Sequence, residues 1–211
     1  MSDSTAAAAE PLTEFSFQAW PKLPRLNREV VVTEKIDGTN AAIQFDEDGN
    51  WAAQSRKRLI TPGKDTDNYG FAGWVEENAL TLFDDLGPGI HFGEWWGKGI
   101  LRNYGRDDRV FSLFNTSRWQ HAGPQGSDKT DRFITEGLSV VPVLYRGPFR
   151  TAEITLCGLM LTMNGSVAQP GFDNPEGLVV FHTAANQMFK VTLENDDNPK
   201  SVLPGAGDPI G

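Results

Sequence analysis

Cysteine is all but absent from this 211-residue sequence: Cys157 stands alone. An internal disulfide is therefore excluded, and a reducing compartment suits the chain. Long apolar runs are missing too. No stretch approaches the roughly 18 residues needed to span a bilayer, and Met1 to Glu10 lacks the basic start and apolar run of a signal segment. Positive charge is scarce, 19 Lys and Arg against 28 Asp and Glu, for a net charge of -9. That balance argues against a basic coat that binds nucleic acid indiscriminately, so any polyanion must be gripped locally. The histidines, His91, His121 and His182, show no metal-ligand spacing among themselves or with Cys157. These absences lead to the expectation of a cytoplasmic monomer with no membrane partner.

Aromatic residues, by contrast, are plentiful. Six Trp and thirteen Phe in a chain that is 39% hydrophobic can fill the core of one sizeable domain. The expected domain is 15–195, between an N-terminal tail at 1–14 and a C-terminal tail at 196–211 with no appended domain. Residues 1–14 hold three acids and no base, and residues 194–211 hold four acids and one base. Six of the nine negative charges thus lie outside 15–193. The part expected to fold is only mildly acidic, with basic groups at Arg56-Lys57-Arg58 with Lys64 and at Lys98, Arg102, Arg106 and Arg109.

Short β-rich runs bounded by turn residues predict strands at 29–34, 41–45, 51–54, 90–95, 109–114, 138–143, 177–182 and 188–193. Asp48-Gly49-Asn50 predicts a hairpin between the second and third. Phe71, Trp74, Val75, Ala79, Leu82 and Phe83 recur at helical spacing, and Thr151 is placed to cap a second helix that runs to Gly165. There is no internal repeat and no parallel βαβ rhythm. The expected class is α+β, antiparallel sheets with packed helices.

The strongest chemical signal is Glu34-Lys35-Ile36-Asp37-Gly38-Thr39-Asn40, a lysine directly after an apolar strand and before a tight polar turn. K-x-D-G alone also occurs at ordinary strand ends. A nucleophilic amine, however, must be neutral, and it needs neighbouring cations, a metal or burial to make it so. Further along come Ser55-Arg56-Lys57-Arg58, then Phe92-Gly93-Glu94-Trp95-Trp96-Gly97, then Pro175-Glu176-Gly177-Leu178-Val179-Val180, then Phe189-Lys190-Val191.

In this order and at these separations, the runs resemble the motifs of the ATP-dependent polynucleotide ligases, most closely the RNA ligases of the phage T4 RNA ligase 2 type. A phage-encoded member is the expectation. The resemblance implies an ATP-grasp-like nucleotidyltransferase fold, with ATP and Mg2+ or Mn2+ as cofactors. Its implied partners are nucleic acid ends: an RNA nick or break, with a DNA–RNA hybrid as one form. Position by position, it implies that Lys35 takes AMP from ATP, Glu34 selects adenine, Asn40 orients the 3′-OH strand and Arg56 grips phosphate. It further implies that Glu94 binds the ribose, Phe114 stacks on adenine, Glu176 serves the metal and Lys190 neutralises the α-phosphate.

Two departures stand out. The family's last motif carries two lysines in K-x-K form, whereas Lys190-Val191-Thr192 has one, with Lys200 as a distant substitute. The residue after the stacking aromatic is often Asp and is Asn115 here. K-x-D-G chemistry also serves DNA nick ligases and RNA capping guanylyltransferases. Outside enzymes, the alternative is an inactive module that binds nucleotides or RNA ends.

Overall fold

The computed structural model describes residues 16–119 and 133–194. The tails expected at 1–14 and 196–211, Lys200 and His121 lie outside the described residues.

The strands are β1 (Glu29–Lys35), β2 (Thr39–Phe45), β3 (Trp51–Ser55), β4 (Leu59–Ile60), β5 (Gly89–Gly97), β6 (Arg109–Leu113), β7 (Leu138–Val140), β8 (Val143–Pro148), β9 (Gly177–His182) and β10 (Gln187–Thr192). The helices are α1 (Phe71–Leu86), α2 (Thr116–Trp119) and α3 (Thr151–Asn164). Two sheets form, one of four strands in the order β10-β9-β1-β8 and one of six in the order β4-β3-β2-β5-β6-β7.

Alternation along β1 sends Val30 and Val32 into a core with Leu178, Val180 and, from α3, Cys157 and Leu161. The other face of β1 carries Val31, Thr33 and Lys35. The six-stranded sheet sends Ile43, Trp95, Phe111 and Leu113 against Phe71, Val75, Leu82 and Leu86 of α1. Phe71 meets Phe111 and Trp95 at ring-centroid distances of 5.0 and 5.4 Å, an aromatic pairing worth more than its buried area alone. Asp67 caps α1, its carboxylate accepting the Ala72 and Gly73 N–H groups at 2.8 and 3.0 Å.

A third, smaller cluster of Ile36, Trp96, Tyr104, Val110 and Val141 fills the junction of the two sheets. Residues 36–38 join β1 of one sheet to β2 of the other. The residues next to Lys35 are therefore packed on both sides of a seam. No helix among the described residues is long and apolar enough to cross a membrane.

The α+β class and most of the expected strands are present, with three corrections. The run 138–143 is divided between sheets: β7 joins the six-stranded sheet and β8 the four-stranded one. Val141 bonds to Leu113 O, and the Pro142 carbonyl accepts the Glu34 N–H. Pro142 itself has no N–H for a ladder and falls where the chain crosses over. The β6–β7 ladder is parallel, unlike the antiparallel sheets expected. Finally, Thr151 is the first residue of α3, and the cap position belongs to Arg150, which makes no side-chain cap bond. Phe149 donates to Arg28 O and packs in the α3 core, which keeps Arg150 extended, so the helix starts after it.

Candidate active site

Lys35 ends β1 opposite Gly177, the first residue of β9. Glu176, one residue earlier, accepts from Lys35 Nζ at 2.5 Å, and both side chains are largely buried. The Glu176 carbonyl also accepts the Leu193 N–H at 3.0 Å, tying the end of β10 to the same spot. Lys35, Gly177 and Thr192 share one cross-strand row, and Thr33, Val179 and Lys190 form the next row on the same face. Lys190 is thereby placed on the Lys35 face, exposed at the sheet edge. Thr192, where the family pattern has a second lysine, stands in the row of Lys35 itself.

The six-stranded sheet supplies the facing wall. Asn40, Glu94 and Ser112 make a row across β2, β5 and β6. Glu94 is buried, and it accepts from the Gly38 N–H and from Asn40 Nδ2, each at 3.1 Å. Burial pushes its carboxyl up to about 7; the Lys35 charge and the Gly38 bond pull the other way, while Glu176 and Asp37 add to the rise. Gly38 is required by close approach rather than by φ. A Cβ there would meet Trp95 O at 2.5 Å and Trp96 Cβ at 2.7 Å.

Phe114 follows β6 and lies half-buried against the junction cluster that contains Ile36, against which Ala168 and Phe172 also pack. Asn115 is exposed, and its Oδ1 accepts from Ser117 Oγ and the Arg118 N–H, a local capping role. Arg56 is exposed at the turn after β3. The last β2–β3 pair is Ala41 with Ser55, so Arg56 emerges near Asn40, at the lip of the cleft.

Glu34 departs from expectation. Its carboxylate is buried and accepts Ser166 Oγ at 2.5 Å and the Val167 and Ala168 N–H groups at 2.8 Å each. Burial raises its pKa, and these three bonds oppose the rise. The side chain is thus engaged within the protein. It anchors the loop after α3, whose Ala168 packs against the same junction cluster as Phe114.

The sequence reading gave no individual role to Asp37 or Arg102 and did not single out Tyr104. Asp37 donates its N–H to Tyr104 Oη at 2.9 Å. Its carboxylate accepts from Arg102 Nε at 3.1 Å, and Arg102 Nη1 donates to Asn174 O, also at 3.1 Å. One guanidinium therefore links the turn after Lys35 to the segment before Glu176. The basic group at Lys98, Arg102, Arg106 and Arg109 is largely engaged within the protein. Arg106 pairs with Asp108, donates to Gln169 and lies 5.2 Å from the Trp96 ring centroid. Arg109 donates to Lys98 O. The only signal in the sequence was Asn103 and Gly105 in a turn-like run; Leu101, Asn103 and Tyr104 all take positive φ.

No group of three or more His, Cys, Asp or Glu among the described residues could hold a metal ion. His91 and His182 bond to main-chain carbonyls, and Cys157 is a buried thiol.

A family model described as RNA ligase matches residues 28–192. None of the curated proteins compared by sequence matches the chain. Among solved structures, a Naegleria gruberi RNA ligase mutant with ATP and Mn matches with a TM-score of 0.56 and 18% identity, over 80% of this chain and 51% of that one. A mutant of the same ligase with AMP and Mn gives 0.55 and 18%, over 79% and 50%. The ligase with PPi gives 0.52 and 18%, over 79% and 50%. The chain thus spans about half the length of these ligases, and at such identity the likeness establishes the fold.

Proposed function

Because the chain belongs to the RNA ligase family, we propose that it joins a 3′-OH to a 5′-phosphate on RNA at the expense of ATP, with Lys35 as the covalent nucleophile. The observation that carries this reading is the placement of Lys35 at a sheet junction, 2.5 Å from Glu176 and facing the buried Glu94.

Lys35 Nζ, once deprotonated, attacks the α-phosphate of ATP, forming an N–P bond as pyrophosphate leaves and the nitrogen releases a proton to solvent. The AMP then passes to the 5′-phosphate of one strand, and the 3′-OH of the other displaces it. Each step is an in-line displacement at phosphorus, in which positioning and charge neutralisation dominate. The ion pair with Glu176 must open before the amine can attack. Lys190, on the Lys35 face, and Arg56, at the lip, offer positive charge to the phosphates. Glu94 retains acceptor capacity beyond its two bonds for a ribose hydroxyl, and Phe114 offers a ring face to adenine.

Mg2+ needs only one or two protein carboxylates when phosphates complete its shell, so Glu176, partly exposed in the cleft, fits as its protein ligand. When bound there, the ion would neutralise phosphate charge and occupy the carboxylate that otherwise pairs with Lys35.

Intact mass after incubation with ATP and magnesium is expected to rise by one AMP, and Lys35→Ala should abolish label transfer from α-labelled ATP. Covalent labelling that survives this substitution would overturn Lys35 as nucleophile. An unchanged wild-type mass would favour a module that binds ends without catalysis.

A further inference from the structure

The end of β1 remote from Lys35 opens into a concave pocket of about 500 Å3, lined by Arg28, Glu29, Phe149 and Arg150 among others. It lies roughly 20 Å from Lys35, six strand intervals at ~3.3 Å each. Residues 16–29 and 143–150 contain Lys22, Arg25, Arg28, Arg146 and Arg150, with Glu29 as their sole acid. In a chain of net charge -9, this is a marked local excess of positive charge. Glu29 offsets one of the five, standing 3.5 Å from Arg146. Arg28 and Arg150 are exposed, and both line the pocket.

Aromatic side chains accompany these cations. Phe17 is 94% exposed and Trp20 86% exposed, in the segment without strand or helix that leads to Arg28. That segment is tied to the sheet at its far end, where Leu26 O accepts from His182 Nε2 at 2.7 Å. A Trp left this open contributes nothing to the core, and its ring is free for a planar partner. Cations that track a backbone, interleaved with open aromatic faces, are the combination that binds single-stranded nucleic acid: phosphates take the cations and bases take the rings.

We propose that this pocket and the 17–28 segment form a second binding site, for an unpaired RNA strand, in which Arg28 and Arg150 hold phosphates and Trp20 stacks on a base. The assignment rests on the ligase reading for its choice of RNA. It adds a grip on the substrate at a distance from the break, and it gives the acidic chain a local basic surface suited to that task.

The test uses the full-length protein and a fluorescein-labelled single-stranded RNA 20-mer, with binding read by anisotropy over a salt series. Arg28→Glu with Arg150→Glu is expected to weaken binding at least tenfold and to flatten the salt dependence by about 1.4 in slope, from ~0.7 per lost phosphate contact. Trp20→Ala, which changes no charge, should weaken binding about five-fold or more without altering that slope. Transfer of label from α-labelled ATP to Lys35 should be unchanged in all of these variants. Unchanged RNA affinity in the double variant overturns the site and leaves the ligase reading intact. Equal weakening on a blunt RNA duplex overturns its assignment to single strands. If the wild type takes no label from ATP, the ligase reading fails, and the anisotropy series still decides the binding site on its own.

Discussion

At the scale of single residues, the cleft depends on carboxylates held out of water. Glu94 is the sharpest case, with an ordinary value of 4.5 raised to about 7 in the folded protein. The folded state then binds more protons than the unfolded state between these values, so stability falls as pH rises across that window. Glu34, raised for the same reason, acts in the same direction. At ~1.4 kcal/mol per pH unit of displacement, Glu94 alone accounts for a loss of about 3 kcal/mol between pH 4.5 and 7. Chemical denaturation of the nucleotide-free protein should show that decline, and Glu94→Gln should flatten it by more than half. A pH dependence identical in the variant would mean that the carboxyl is not perturbed in this way. Gly38→Ala tests the geometry beside it. The added methyl must displace the main chain at Trp95, so adenylylation should fall at least tenfold, measured as the rate of label transfer. Lys35, Glu94 and Glu176 were picked out by the order and separation of the motifs that hold them, which resemble those of the ligases, since each motif alone is a weak signal. The engagement of Glu34 was not, since its partners lie 132 to 134 positions away in a loop without strand or helix period.

Among the elements, β1, β2 and β9 were readable from their alternating or continuous valine, isoleucine and alanine. The 71–86 helix was readable from its aromatic spacing. The division of 138–148 into two strands on different sheets was not, because Val-Val-Pro-Val satisfies strand preference on either side of the crossing, and only the tertiary partners Leu113 and Glu34 decide it. The loop between β5 and β6 was opaque for a related reason. Arginines in a polar run look solvated until their partners are known, and those of Arg102 lie 65 and 72 residues away. That guanidinium bridges the loop of one sheet to the turn and strand start that present Lys35 and Glu176. It is a positioning residue that touches neither reacting atom in the arrangement proposed. Arg102→Met is therefore expected to slow adenylylation ~10- to 100-fold with little change in the KM for ATP. Arg102→Lys, which can keep the Asp37 contact but cannot reproduce the fork, should recover only part of the rate. In a Glu176→Gln background the same substitution should cost much less, because the geometry it maintains has lost its purpose. Full additivity of the two substitutions would reduce Arg102 to a stabilising contact.

For the molecule as a whole, the negative charge and the two-sheet architecture bear on how substrate is chosen. Two cores, each with its own helix, meet at the junction cluster, the Lys35–Gly38 connection, the crossing at Pro142 and the Arg102 bridge, so the cleft is a seam between separately packed layers. Net negative charge is concentrated in sequence toward the two ends, while Arg56, Lys190 and the Arg28 pocket place cations where phosphates would run. A surface of this kind grips a strand at a few points, and discrimination must then come from what is read at the break itself. Asn40 is exposed at the lip and oriented by Glu94, the right chemistry to sense a hydroxyl on the 3′-OH strand. The 2′-OH is the group that distinguishes RNA from DNA at such a contact. A gel panel of 5′-phosphorylated breaks, with RNA or DNA on each side, should therefore show efficient sealing only when the 3′-OH strand ends in RNA. Asn40→Ala should narrow the difference while leaving adenylylation of Lys35 within a few-fold of wild type. If strands with DNA at the 3′-OH side seal as well as RNA, then the lip does not read the sugar and the preference for RNA must be abandoned.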